Sequence, residues 1–145
     1  KEFAAQALLS VTKLARPGTK YGVLANPINN VFVKCRTGKW QAVRDGMVIL
    51  PGDEVRTASA SSVKVLLEGD KVGQVEIKEG SLFRIQKNEI DAKTGDRTTL
   101  LDLAIGKVVV HAGKLQGNSK FEVRTLTALT GVRGTVFEVT VKEKS

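Results

Sequence analysis

The residues able to do chemistry in this chain are few and do not gather. The only histidine, His111, follows three valines and precedes Ala112-Gly113, which places it at a strand end before a turn. A general base there would need a nucleophile or carboxylate beside it, and nothing local supplies one. The only cysteine, Cys35, alternates in phase with Val31 and Val33, so it is expected to point inward and behave as a small hydrophobe. One cysteine also excludes an intrachain disulfide, a CxxC pair and a zinc framework. Asp53 with Glu54, and Asp91 with Asp96, are the available carboxylate pairs. A glycosidase holds two carboxyls about 5 to 9 Å apart across a cleft. These carboxylates lie in turn-forming sequence, where local hydrogen bonding is reason enough for them. No phosphate loop, dinucleotide fingerprint or metal loop is present. The chemistry-bearing residues therefore predict no enzyme, no cofactor and no metal.

Charge points to recognition instead. Lys and Arg number 23 against 15 Asp and Glu, a formal net charge of +8. Such an excess suits an acidic partner: nucleic acid, an anionic envelope polymer or an acidic protein face. Binders of single-stranded nucleic acid pair a basic groove with stacking aromatics. Aromatics are sparse here, and Phe121 and Phe137 fall in phase with core valines, which leaves Trp40, Phe83 and Tyr21 as candidates for exposure. One charged residue stands out: Arg133, between Gly131 and Gly134 in the apolar, threonine-rich run Thr125–Phe137. Burying that charge would require a partner, and the flanking glycines suggest special backbone geometry or close approach.

The elements that must position these residues are nearly all strands. Val31 and Val33, Val63, Val65 and Leu67, Val75 and Ile77, Phe121 and Val123, and Phe137, Val139 and Val141 each alternate with largely polar or charged neighbours. That period of two marks half-buried antiparallel sheet. Val108-Val109-Val110 is uniformly apolar and reads as a central strand. Asn26-Pro27, Pro51-Gly52-Asp53, Glu68-Gly69-Asp70, Glu79-Gly80-Ser81, Thr94-Gly95-Asp96 and Gly117-Asn118-Ser119 supply turns at short intervals. The expected fold is all-β, a coiled antiparallel sheet or β-sandwich with solenoid-like strand units that share no fixed repeat length. Residues 89 to 98 are expected to form the longest loop. Before the strands, Phe3, Ala4, Ala7, Leu8, Val11, Leu14 and Ala15 recur at helical spacing, so residues 1–16 are expected to form an N-terminal helix or linker and 17–145 the β domain. No apolar run approaches the ~20 residues of a membrane span. Lack of disulfides suits the cytoplasm without excluding the periplasm. A first residue Lys1 points to a trimmed or mature product.

Three stretches carry a resemblance. Val31-Phe32-Val33 through Trp40, Gly46 and Leu50-Pro51-Gly52-Asp53-Glu54-Val55-Arg56-Thr57 form an opening strand pair and turn. Ser61-Ser62-Val63-Lys64-Val65-Leu66-Leu67 forms a following strand. Phe121-Glu122-Val123-Arg124-Thr125 with Gly131-Val132-Arg133-Gly134-Thr135-Val136-Phe137 forms a closing signature. Together they resemble the FecR-type domain of bacterial envelope proteins, over roughly residues 22 to 141. Leu126 stands where that family usually has proline, and the tip from Glu68 to Gly73 is longer than the family's Asp-Gly-Ser turn. The resemblance implies an extracytoplasmic, non-enzymatic β domain at the periplasm or cell surface. Gly52, Asp53, Arg56, Thr57, Gly131, Arg133, Gly134, Thr135 and Phe137 are its signature residues, expected to be structural, with Arg133 or Arg56 pairing with Asp53 to tie the two signature turns together. Trp40 and Arg133 are the candidate partner contacts.

The expected function is an interaction or scaffold module that binds an envelope protein or cell-wall polymer, with a role in signalling. The alternatives are a basic domain binding single-stranded nucleic acid and, third, a carbohydrate-active enzyme. A membrane would be engaged only through segments outside this chain.

Overall fold

Each run of alternating apolar and polar residues becomes a strand. The computed structural model describes residues 19–35, 38–68, 73–113, 117–132 and 136–142. The helix expected over residues 1–16 lies outside them. The described residues form twelve strands: β1 Gly22–Ile28, β2 Val31–Lys34, β3 Gln41–Ala42, β4 Val48–Ile49, β5 Glu54–Thr57, β6 Ser62–Leu67, β7 Gly73–Ile77, β8 Leu82–Ile90, β9 Arg97–Ala112, β10 Lys120–Arg124, β11 Leu129–Gly131 and β12 Phe137–Val141. They build a curled sheet, a half-barrel, as the alternation predicts. All pairings are antiparallel except β9 with β10.

The curl comes from chain crossings. One half-sheet runs β3-β2-β5-β8-β9-β10-β11, and the other runs β4-β1-β6-β7-β9-β12. Along one margin the chain passes between them from β1 to β2, from β5 to β6 and from β7 to β8, while β9 passes over within itself. These four crossings stack and hydrogen-bond to one another along a seam. The Ala58 amide donates to Asn30 O and the Gly80 amide to Ala58 O, at 3.1 and 3.2 Å. The Asn30 amide donates to Ser61 Oγ at 3.0 Å. Ser81 sits at the densest point. Its amide donates to Thr57 Oγ1 at 2.9 Å, and its hydroxyl donates to Lys78 O at 2.8 Å and accepts the Lys107 amide at 3.0 Å. Thr57 Oγ1 in turn donates to Lys78 O at 2.6 Å. Ser61 and Ser81 are 2% and 1% exposed, so each hydroxyl satisfies backbone groups that water cannot reach.

The crossings at Ser61 and Ser81 are alike in spacing as well as in chemistry. Buried Val55, Thr57, Ser61, Val63 and Val65 recur twenty residues later as Val75, Ile77, Ser81, Phe83 and Ile85. The spacing links these two units alone. The match is one of burial positions, since only valine and serine repeat in identity.

Strand β9 is the spine of both half-sheets. Arg97, Thr99, Leu101 and Leu103 point inward, then the phase changes and Val108, Val110 and Ala112 do. An extra residue, Ala104, opposite the Leu82–Phe83 step absorbs the change. Gly106, at φ +105°, makes the bend, and a Cβ there would collide with Ser81. Val108–Val110 is central, as its composition predicts. The loop expected over 89–98 is there but shorter: β8 runs to Ile90 and β9 begins at Arg97, which leaves residues 91–96 as the turn. Its ends, Glu89–Ile90 and Arg97–Thr98, pair across the hairpin; just behind them Asn88 and Thr99 are both fully covered, with Thr99 Oγ1 donating to Asn88 Oδ1.

Opposite the seam the half-sheets meet again. Arg97, 8% exposed, donates to Glu68 Oε2 at 2.7 Å, joining the far end of β9 to the end of β6. The core between seam and clasp includes Leu24, Val33, Val55, Val65, Leu67, Ile77, Phe83, Ile85, Leu101, Val110 and Phe121. Each such side chain contributes about 1.5–3 kcal/mol on burial, so the inward rows dominate the energetics.

Replacing Gly106 by alanine is expected to cost more than about 2 kcal/mol, from backbone strain and the clash with Ser81. Gly131→Ala, whose Cβ would enter open space, is expected to stay within about 0.5 kcal/mol. Urea denaturation of both variants checks this; equal effects would refute it.

Candidate functional site

The outward face of the first half-sheet carries two rows of side chains that register brings together. Phe32, Arg56 and Leu82 are cross-strand partners in one row. In the next, Lys34, Glu54, Arg84, Asp102 and Arg124 lie side by side on five neighbouring strands, with charge alternating at every step. Lys34 Nζ is 3.7 Å from Glu54 Oε2. Asp102 accepts from Arg84 Nη2 at 2.8 Å and from Arg124 Nε and Nη2 at 2.8 and 3.0 Å. Bonding to Asp102 raises the Arg124 pKa above its ordinary value. These rungs are partly solvated, so each exposed pair contributes little stability; what they fix is the orientation of long side chains.

Beside the rungs, Trp40 folds back over β2 and β5. The Arg56 guanidinium carbon lies 4.7 Å from the Trp40 ring centre and 5.2 Å from that of Phe32, and Lys34 Nζ lies 5.5 Å from Trp40. Exposed cation–π contacts are worth roughly 0.5–1 kcal/mol each. Arg56 is solvent-exposed and Trp40 half-buried. The expected exposure of Trp40 is thus partly met. Phe83 is instead a core residue at 1% exposure, because it shares the inward phase of Ile85, and Tyr21 is half-buried.

The signature residues divide by role. Leu50-Pro51-Gly52-Asp53 closes as a β-turn, the Asp53 amide donating to Leu50 O at 3.0 Å. Proline second and Gly52 third at φ +100° match a type II turn. The Asp53 carboxylate, 7% exposed, accepts the Leu50 amide at 2.9 Å and so locks the turn from the other side. Thr57 belongs to the seam. Arg56 does not join it: on β5 it points outward, opposite to Asp53, Val55 and Thr57, and its guanidinium lies over the two rings. The expected Arg56–Asp53 tie is therefore corrected by strand phase. Arg133, Gly134 and Thr135, with the expected Arg133–Asp53 tie, lie outside the described residues. Gly131 ends β11 with ordinary backbone geometry and open space where a Cβ would go, so at this position the glycine is not required by conformation. Phe137 is half-buried against the core at the start of β12.

The remaining candidates are occupied by local structure. Cys35 is exposed, contrary to the inward reading, because β2 stops at Lys34 and the chain turns, with the Gly38 amide donating to Cys35 O. Partial desolvation, and then the charge of Asp53, push its thiol above the ordinary value. His111 sits near the end of β9 as expected, 3.8 Å from Glu76 Oε1. The Lys78 ammonium bonded to Glu76 holds that carboxyl below its usual range. Asp91 is likewise lowered, by the Thr94 and Lys93 amides that its carboxylate accepts in the β8–β9 turn. Among the described residues no group of three or more histidine, cysteine or acidic side chains could hold a metal, and no helix is long and apolar enough to cross a membrane.

The sequence profile described as FecR protein matches residues 53–145, more than half of the chain. The chain belongs to the FecR family. The family match begins at Asp53, in the turn that opens β5, and takes in three of the four crossings that form the seam. FecR domains are non-enzymatic regulatory and signalling modules of the bacterial envelope, typically periplasmic parts of membrane-anchored proteins. No curated protein matches the chain. No solved structure matches it.

The charge ladder escaped sequence reading because it depends on register. Alternation shows that Lys34, Glu54, Arg84, Asp102 and Arg124 point outward, but not which of them are neighbours.

Two measurements check this site. Asp53→Ala orphans the buried Leu50 amide and is expected to cost about 1–3 kcal/mol in denaturant unfolding; a change under about 0.5 kcal/mol would refute the locking role. The raised Cys35 thiol leaves less thiolate at neutral pH. Its reaction with a disulfide reagent should be slower than that of free cysteine at pH 7 and should rise with a midpoint above that of an unperturbed thiol. A midpoint at or below that value contradicts the assignment.

Proposed function

We propose that this FecR domain is a non-enzymatic, extracytoplasmic interaction module of the periplasm or cell surface. It serves as a scaffold or signalling element that binds an acidic envelope partner, protein or cell-wall polymer. The observation that carries the proposal is the Trp40–Arg56–Phe32 cluster. A signature arginine is held by its neighbours with its charge toward solvent, beside Lys34 and an aromatic surface. Arginine in that setting can grip carboxylates or phosphates in a fork that lysine cannot reproduce. The chain's net charge of +8 favours the encounter.

The same cluster supports a second reading, single-stranded nucleic acid, since it combines a cation with a stacking ring. Carbohydrate hydrolysis gains no support: Asp53 is bonded within its turn, Glu54 is paired with Lys34, and Asp91 caps the β8–β9 turn.

Trp40 is the only tryptophan, so its emission reports directly on the cluster. Titration at low salt with an acidic wall polymer, with acidic envelope proteins captured by pull-down, and with a single-stranded oligonucleotide distinguishes the readings. The expected result is a Trp40 emission change with an envelope partner and about tenfold weaker binding for Arg56→Gln at unchanged melting temperature. Binding only to oligonucleotide, weakening steeply with salt, would select the second reading. No binding to any of them at low salt would refute both.

A further inference from the structure

The two half-sheets do not end alike. A strand edge is an open row of backbone donors and acceptors, and proteins blunt it by keeping the strand short or irregular. Among the described residues, β3 and β4 have two residues each and β11 has three. The exception is β12, five residues long with neither glycine nor proline, and paired among the described residues with β9 alone.

The core is also incomplete there. Phe137, Val139 and Val141 share one face and pack on the core, yet all three stay partly exposed, whereas Val63, Val65 and Leu67 on β6 are buried. An open groove of about 710 Å³ runs along β12, floored by Ala104 and Ile105 and walled on the other side by Thr125–Ala128. Leu126 in that wall is 88% exposed and Val136, just before β12, is 60% exposed. An added strand would cover apolar surface as well as satisfy backbone groups.

We propose that the occupant is β12 of a second copy of this chain, paired antiparallel about a two-fold axis at Thr140. The outward residues are Glu138 and Thr140 on this strand and Lys142 directly after it, all exposed. Antiparallel pairing about Thr140 sets Glu138 of each copy opposite Lys142 of the other and Val139 opposite Val141. Opposite charges directly across a strand pair are favourable and like charges are not. Pairing about Val139 would set Glu138 against Thr140 and lose both charge pairs. The interface is isologous and closed, so it yields a dimer with one continuous sheet and no further growth. Within one copy Glu138 also reaches Lys107 at 3.2 Å, both side chains being well exposed, which leaves the carboxylate accessible to a second cation.

Sedimentation of the purified chain over a range of concentrations tests this. The wild type is expected to dimerise. Lys142→Glu, which sets Glu138 against a like charge twice, should weaken the dimer by about tenfold or more. The double variant Glu138→Lys/Lys142→Glu should restore it. Melting curves of each variant establish that the monomer still folds, and amide exchange over residues 137–141 should slow as concentration rises. A wild type that stays monomeric throughout overturns the proposal. So does a dimer that is indifferent to Lys142→Glu, or one that the double swap fails to rescue.

Discussion

Everything in this fold hangs on satisfying the backbone where the chain crosses from one half-sheet to the other. Four crossings bring peptide groups together at one margin of the half-barrel, away from the ordinary ladders. A buried, unpaired peptide group costs as much as a lost hydrogen bond or more. Ser81 settles the most crowded of these sites, serving Lys78, Lys107 and Thr57 at once. Gly106 allows β9 to pass within touching distance of it. Without that contact the inward rows of β8 and β9 would still be apolar, but the bend that turns them to face β6 and β7 would lose its closest packing.

The seam also explains why family-signature residues need not be binding residues. Thr57 lies in the seam, and Gly52 with Asp53 builds the turn that launches the strand leading to it. Arg56, between them in sequence, faces the opposite way. Strand alternation thus lets one short motif serve two surfaces: its inward residues hold the fold, and its outward arginine is presented to solvent beside Trp40.

Much of this was legible in the sequence because alternation is a local signal. The strands containing Val63–Leu67, Val75–Ile77 and Phe121–Val123 follow from period two, and Val108–Val110 declares a central strand by being apolar throughout. What was not legible depends on where strands stop and on which strands are neighbours. Cys35 kept the phase of Val33 on paper, but β2 ends one residue before it. Glu89 and Thr98 looked like loop residues because polarity was their only visible property, and the mutual hydrogen bond of Asn88 and Thr99 beside them exists only once β8 and β9 are paired. The neighbours in the Lys34–Arg124 ladder are fixed by four strand registers, and no residue in it carries a mark of its own. The twenty-residue correspondence between the two serine crossings rests on burial, which becomes visible only in three dimensions.

The clasp between Arg97 and Glu68 gives the molecule two unlike margins. At the seam each crossing bonds to the next, so a residue inserted there would shift the phase of the strand that follows it. At the clasp the chain reverses, in the Asp91–Asp96 turn and after Glu68, and the curl is closed by the Arg97–Glu68 pair together with a short backbone bridge from Thr19 and Lys20 to Glu89 and Asn88. Longer reversals there add little closure entropy, since each doubling of loop length costs only about 0.6 kcal/mol. The domain therefore has a rigid binding along one side and pages of adjustable length along the other. Relatives can differ in those tips while keeping the same spine.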